Sequence, residues 1–193
     1  HTDTPILRGL IERGYEIVAI VASHSDARSR TARTLEVAEV AKEHDIPLLL
    51  PAKPGDIETE LRELHADVAI LAAYGRIIPQ RIIDVFTPTG IVNIHPSLLP
   101  RHRGSTPIET TILAGDTVAG VSIMQLSAGM DEGPVYAQQS IELTGHETKF
   151  DLYERLSTLG AELLFASLPD IISGHLQPIA QRTDDVSYTT PIV

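Results

Sequence analysis

Asn93-Ile94-His95 closes an apolar run, and two polar side chains two positions apart on a strand share one face. An amide supplies an N–H, and an imidazole supplies a proton that switches near neutral pH. That pair suits the developing oxyanion of an acyl-type transfer. A third candidate, Asp131, lies in the turn-rich segment Ser127-Ala128-Gly129-Met130-Asp131-Glu132-Gly133-Pro134, which follows another apolar run. A carboxylate there can orient His95 and raise its basicity. Taken singly, each residue also has a plainer reading: a capping Asn, a hydrogen-bonded core His, and an Asp that forms a turn.

Other chemistries find less support. The histidines at 1, 24, 44, 65, 95, 102, 146 and 175 include no His-x-x-x-His pair, so no metal is expected. The absence of cysteine excludes disulfides, thiolate nucleophiles and Cys-ligated metal centres. Neither G-x-G-x-x-G nor Gly-Lys-Ser/Thr occurs.

The elements that must hold the candidate residues alternate along the chain. A helix from Thr4 to Gly14 precedes a β-branched strand, Ile17–Val21, and a polar stretch, Ser23 to Arg33. Next come a helix Thr34–His44, a strand Leu48–Leu50, a helix Asp56–Leu64, a strand Val68–Ala72, a helix from Pro79 to Phe86 and a strand Ile91–Ile94. A short helix from Pro107, strands Val121–Gln125 and Val135–Ile141, and a long helix from Lys149 to Ile172 follow. This pattern predicts an α/β chain with a Rossmann-like, open, mostly parallel sheet covered by helices on both faces. Such sheets normally lead with a strand, so a first strand is expected to be missing ahead of the first helix. One domain is expected over 1–175, with 176–193 as a linker or edge segment. Asn93 and His95 then fall at the carboxyl edge of a strand, where open α/β sheets bind ligands.

The 193 residues are 42% hydrophobic and 21% charged, ordinary globular composition, and no apolar run approaches the ~20 residues of a membrane span. Fifteen Lys and Arg against 26 Asp and Glu give a net charge of −11, which disfavours diffuse nucleic-acid binding but allows a local basic patch. Arg28, Arg30 and Arg33 form one candidate patch, extended by Arg101; a solvated charged surface is the plainer reading.

The run Asn93-Ile94-His95-Pro96-Ser97-Leu98-Leu99-Pro100, then Arg101-His102-Arg103-Gly104 and Met130-Asp131-Glu132-Gly133-Pro134, resembles the folate-dependent formyltransferases. Arg103-Gly104-Ser105-Thr106-Pro107-Ile108, Ala114-Gly115-Asp116 and Gly120-Val121-Ser122-Ile123-Met124-Gln125 resemble those members that formylate methionyl-tRNA. The resemblance implies the formyltransferase fold, 10-formyltetrahydrofolate as co-substrate without a metal, and the α-amine of initiator methionyl-tRNA as acceptor. It makes Asn93, His95 and Asp131 the catalytic trio. It assigns Ser97, Leu98, Leu99 and Pro100 to folate, with Gly75, Arg76, Ile77, Ile78 and Gly129 as neighbours, and Arg28, Arg30, Arg33 and Arg101 to tRNA. A cytoplasmic monomer is expected, from a family that carries a further C-terminal domain. Three alternatives stand beside this reading: formylation of an amino-sugar nucleotide or glycinamide ribonucleotide, hydrolysis of the formyl group, or an inactive folate- or RNA-binding fragment. His102 stands where the family commonly has an aromatic residue.

Overall fold

The computed structural model describes residues 3–23 and 28–190. Along the chain run α1 (Asp3–Glu12), β1 (Ile20–Val21), α2 (Arg28–Glu43), β2 (Leu48–Leu49), α3 (Glu58–Glu63), β3 (Ala69–Leu71), α4 (Gln80–Ile83), β4 (Ile91–His95), α5 (Pro107–Leu113), β5 (Val118–Gln125), β6 (Val135–Glu142) and α6 (Lys149–Ser173). The expected α/β alternation is present. Its pairing is mixed: β1–β2 and β3–β4 are parallel, whereas β4–β5 and β5–β6 are antiparallel. The turn-rich segment between β5 and β6 contains no helix. It can reverse the chain but cannot carry the crossover that a parallel neighbour needs.

The described sheets are β1-β2 and β3-β4-β5-β6. Between β1 and β3 lies a cavity of about 600 Å³ with an apolar lining that includes Leu10, Val18, Ile20, Ile70 and Ile82. β4 and β5 are buried nearly throughout, which explains their unbroken apolar runs. Val92 packs with Leu164 and Leu168 of α6, while Ile91 joins Leu61, Ile82, Ile83 and Phe86 on the opposite face. Alternation along β4 therefore puts Asn93 and His95 on the Ile91 face, at the strand's carboxyl end.

α6 begins in a capping box. The Thr148 hydroxyl accepts the Asp151 N–H, and the Asp151 carboxylate accepts the Thr148 N–H. In length and composition α6 could cross a membrane, but Leu152, Leu156, Leu164 and Leu168 are buried against the sheet.

One segment differs from the sequence reading. α2 starts at Arg28 rather than Thr34, so Arg28, Arg30 and Arg33 lie on helical backbone, not in a loop. Residues 28–33 contain no Gly or Pro to stop a helix, and Arg is a good helix former; the lack of apolar periodicity hid it. Residues 24–27 of the expected polar stretch lie outside the described residues. The segment after Gly174, which has little periodicity, is tied to the body of the protein. Ile179 exchanges backbone hydrogen bonds with Val135, and Ser187 and Thr189 bond to Pro100 and Arg103.

Candidate active site

β4 delivers Asn93 and His95 by strand register, with Asn93 between Leu71 of β3 and Met124 of β5 and His95 opposite Ser122. The chain then turns, the Ser97 N–H bonding back to the His95 carbonyl at 2.9 Å. It returns so that the His102 carbonyl lies 3.0 Å from His95 Nε2. A carbonyl can only accept, so Nε2 carries the proton and Nδ1 is left facing Asp131 Oδ2 at 3.6 Å. That separation is beyond hydrogen-bond length but close enough for strong charge coupling. Burial of the His95 ring pushes its pKa below the ordinary value, opposed by the Asp131 charge and the His102 carbonyl. A neutral imidazole able to take a proton beside a carboxylate is the result.

Asp131 is placed by its loop rather than by a strand. Its φ is +51°, in the left-handed region that Asp tolerates better than most residues. Oδ2 accepts the Gly104 N–H at 2.8 Å, and Gly104 itself sits at φ +112°, accessible only to glycine without strain. Gln181, from the segment after α6, donates to the carbonyls of Asp131 and Gly133 at 2.7 and 2.8 Å. The Asn93 carboxamide has no hydrogen-bond partner among the described residues, so its N–H₂ is available to an incoming oxygen. An amide donor, a neutral imidazole and a carboxylate thus converge at one strand edge. This arrangement can stabilise an oxyanion and move a proton.

The Formyl transferase family model matches residues 4–168, most of the chain. The chain belongs to the formyl transferase family. Two curated relatives, the methionyl-tRNA formyltransferases of Lactobacillus acidophilus and Coxiella burnetii, are each 37% identical over 192 residues, 97% of this chain. The chain spans 61% of the length of each. Among solved structures, phosphoribosylglycinamide formyltransferase from Bacillus halodurans superposes with a TM-score of 0.76 at 26% identity, covering 90% of this chain and 91% of that one. A sugar 3N-formyl transferase solved with dTDP and 5-N-formyl-THF gives a TM-score of 0.77 at 18% identity, covering 98% and 66%, and supports the fold alone.

On this formyl transferase scaffold the other expected residues fall unevenly. Ser97 and Leu99 are buried, and their polar groups are committed within the protein. Ser97 Oγ donates to the Arg101 carbonyl, and the Leu99 N–H and the Ser97 carbonyl both bond to Ser122 Oγ, at 3.1 and 2.6 Å. Gln138 donates to the Leu99 carbonyl and to Ser122 Oγ, each at 2.8 Å. Leu98 lies over Gly120, where a Cβ would collide with it. Leu98 and Pro100 are half-buried, so the segment can serve a ligand mainly by shape. Gly75, Arg76, Ile77 and Ile78 follow β3, whose Leu71 is registered beside Asn93. Of these, Ile77 is 90% exposed, and Arg76 bonds to the Ala52 carbonyl at 2.6 Å. Gly129 lies in the Asp131 loop, its carbonyl 3.5 Å from Ser127 Oγ. Arg101 is paired with Asp116 at 2.9 Å, so the positive edge expected there is partly neutralised within the protein.

Sequence reasoning missed Ser122, Gln138, Asp116, Gln181 and the His102 carbonyl as supports of the site. Ser122 carried one signal, being a polar residue within a buried apolar strand, whereas Gln138 stands on the more exposed β6. The others come from loops far apart in the chain, and no local pattern announces them.

Proposed function

We propose that this chain transfers a formyl group from 10-formyltetrahydrofolate to the α-amine of methionyl-tRNA. The observation that carries this reading is the convergence of the free Asn93 amide, the Nε2-protonated His95 and Asp131 at the end of β4. The 37% identity to methionyl-tRNA formyltransferases supports tRNA as the acceptor over a nucleotide.

The amine nitrogen attacks the formyl carbon, forming the new C–N bond. The carbonyl oxygen becomes an oxyanion, stabilised by Asn93 and by a His95 that has gained a proton at Nδ1. The attacking amine supplies that proton, and Asp131 stabilises the resulting imidazolium. Collapse re-forms the carbonyl and breaks the bond to the folate nitrogen, which leaves with the proton returned from His95 Nδ1, while the formyl group stays on the amine. The half-buried Leu98 and Pro100 and the exposed Ile77 offer apolar surface for the pterin end of the donor.

Side-by-side assays with methionyl-tRNA, glycinamide ribonucleotide and an amino-sugar nucleotide test the acceptor. Formylation of methionyl-tRNA at the highest kcat/KM is expected; preference for either small amine would overturn the tRNA assignment.

The arginines make a second test. Arg28, Arg30 and Arg33 occupy the first turns of α2, which has no acidic residue in its first turn. Cations at the positive end of a helix dipole are unfavourable alone and are relieved by an anion such as a phosphate. Replacing all three with Gln is expected to weaken tRNA binding and flatten its salt dependence by about one log unit of slope per lost phosphate contact. Folate binding should change little. Unchanged affinity and slope would make this face a solvated surface.

A further inference from the structure

His102 has no part in the chemistry above except through its carbonyl, yet it is more constrained than that role requires. It is 7% exposed, and its φ of +56° lies in the left-handed region that only a small share of non-glycine residues adopt. Two contacts hold it there. Its N–H donates to Ser187 Oγ at 2.9 Å, and its ring Nε2 meets Asp116 Oδ2 at 2.7 Å. Asp116, just after α5, gives its other oxygen to Arg101 at 2.9 Å. Burial alone would raise the Asp116 carboxyl, but the hydrogen bonds from His102 and Arg101 outweigh it and keep this group ionised. A continuous path therefore runs from the Asp116 carboxylate through the His102 ring and carbonyl to His95 Nε2, and across the ring to Nδ1 and Asp131.

We propose that Asp116 and His102 are positioning residues that hold His95 in the Nε2–H tautomer, so that Nδ1 stays free to take the proton of the attacking amine. The inference rests on the formyl-transfer reading for its consequence, but not for its geometry. The tautomer of a histidine is set by the bond its other nitrogen makes, and here that bond is made by the backbone carbonyl of a residue in the left-handed conformation. Without the clamp on the ring, residue 102 relaxes and the carbonyl leaves Nε2. His95 can then place its proton on Nδ1, hydrogen-bonded toward Asp131, which removes the acceptor lone pair that the reaction uses. Arg101 and Asp185 are the other charges at this corner. They lie 3.9 Å apart, and Arg101 reaches Asp116 on the oxygen away from His102.

The test is ring-nitrogen NMR on the ¹⁵N-histidine-labelled chain, with steady-state kinetics, for the unmodified protein, Asp116→Asn and His102→Asn. Asn tolerates a left-handed backbone, so His102→Asn is the variant expected to keep its fold even if Asp116→Asn does not. The unmodified chain should show His95 as the Nε2–H form. Both variants should show a raised Nδ1–H fraction and a kcat lowered about tenfold or more, part of what proton transfer normally contributes, with the donor KM nearly unchanged. A His95 that keeps its Nε2–H form in His102→Asn overturns the proposal, whatever happens to the melting temperature. An unmodified chain that formylates no acceptor would instead overturn the formyl-transfer reading, while the tautomer measurement still decides the role of His102.

Discussion

His95→Ala is expected to lower turnover by about 100-fold or more, on the scale of losing one preorganised oxyanion donor or proton-transfer group. Asn93→Ala is expected to have an effect of the same order, because among the described residues its carboxamide has no competing partner to share the loss. Neither change should unfold the protein, since both residues stand at the end of β4, away from the Leu164 and Leu168 cluster. Steady-state kinetics together with a thermal melt separate the two effects. A near-normal rate in a folded variant removes that residue from the mechanism. The melt carries a pH signature as well. Burial holds the folded His95 pKa below the 6.5 of a free ring, so the unfolded chain binds the proton more readily. The stability that His95 contributes is then complete above pH 6.5 and is lost as pH falls from there through the folded pKa. His95→Ala should remove that part of the acid sensitivity, leaving the loss that sets in as pH falls through the ordinary Asp value of 3.8 toward the lowered folded pKa of Asp116.

The parts of the fold that sequence made legible are those built by local repetition. β4 and β5 are unbroken apolar runs because both faces are buried, and α6 announces itself by Thr148 at its start and Gly174, with φ +77°, at its end. Asn93 and His95 could be paired from spacing alone, since a strand puts residues two apart on one side. Asp131 could not. Its place depends on a left-handed backbone, the Gly104 N–H and Gln181, which lies 50 residues further on. Only the family resemblance lifted it above a turn residue. The same limit explains the segment after Gly174: Ile179, Ser187 and Thr189 pair by backbone, which leaves no periodicity to read. The start of α2 was hidden for the opposite reason, because its first turns are helix-competent in sequence but contain no apolar stripe.

Asp131→Asn is the sharper companion to the alanine changes, because it removes a charge and little else. Asn tolerates the left-handed φ of +51°, and its side-chain oxygen can still accept the Gly104 N–H, so the loop should keep its shape. What disappears is the negative charge 3.6 Å from His95 Nδ1. The imidazolium formed when the amine gives up its proton then has no counter-charge in a buried site, and turnover should fall by about 100-fold or more, within the usual range for a general acid–base assembly. The donor KM should move much less, because the charge matters most after the amine has attacked. The pH profile provides an independent sign. The Asp131 charge raises the His95 pKa against the dominant effect of burial, so its removal drives that pKa lower still. If neutral His95 is the active form, the acid limb of the rate profile moves to lower pH in Asp131→Asn, even as the plateau drops. A plateau equal to that of the unmodified protein would return Asp131 to the role of a turn residue. A lowered plateau with an unmoved acid limb would mean that Asp131 acts on the substrate directly and not through His95.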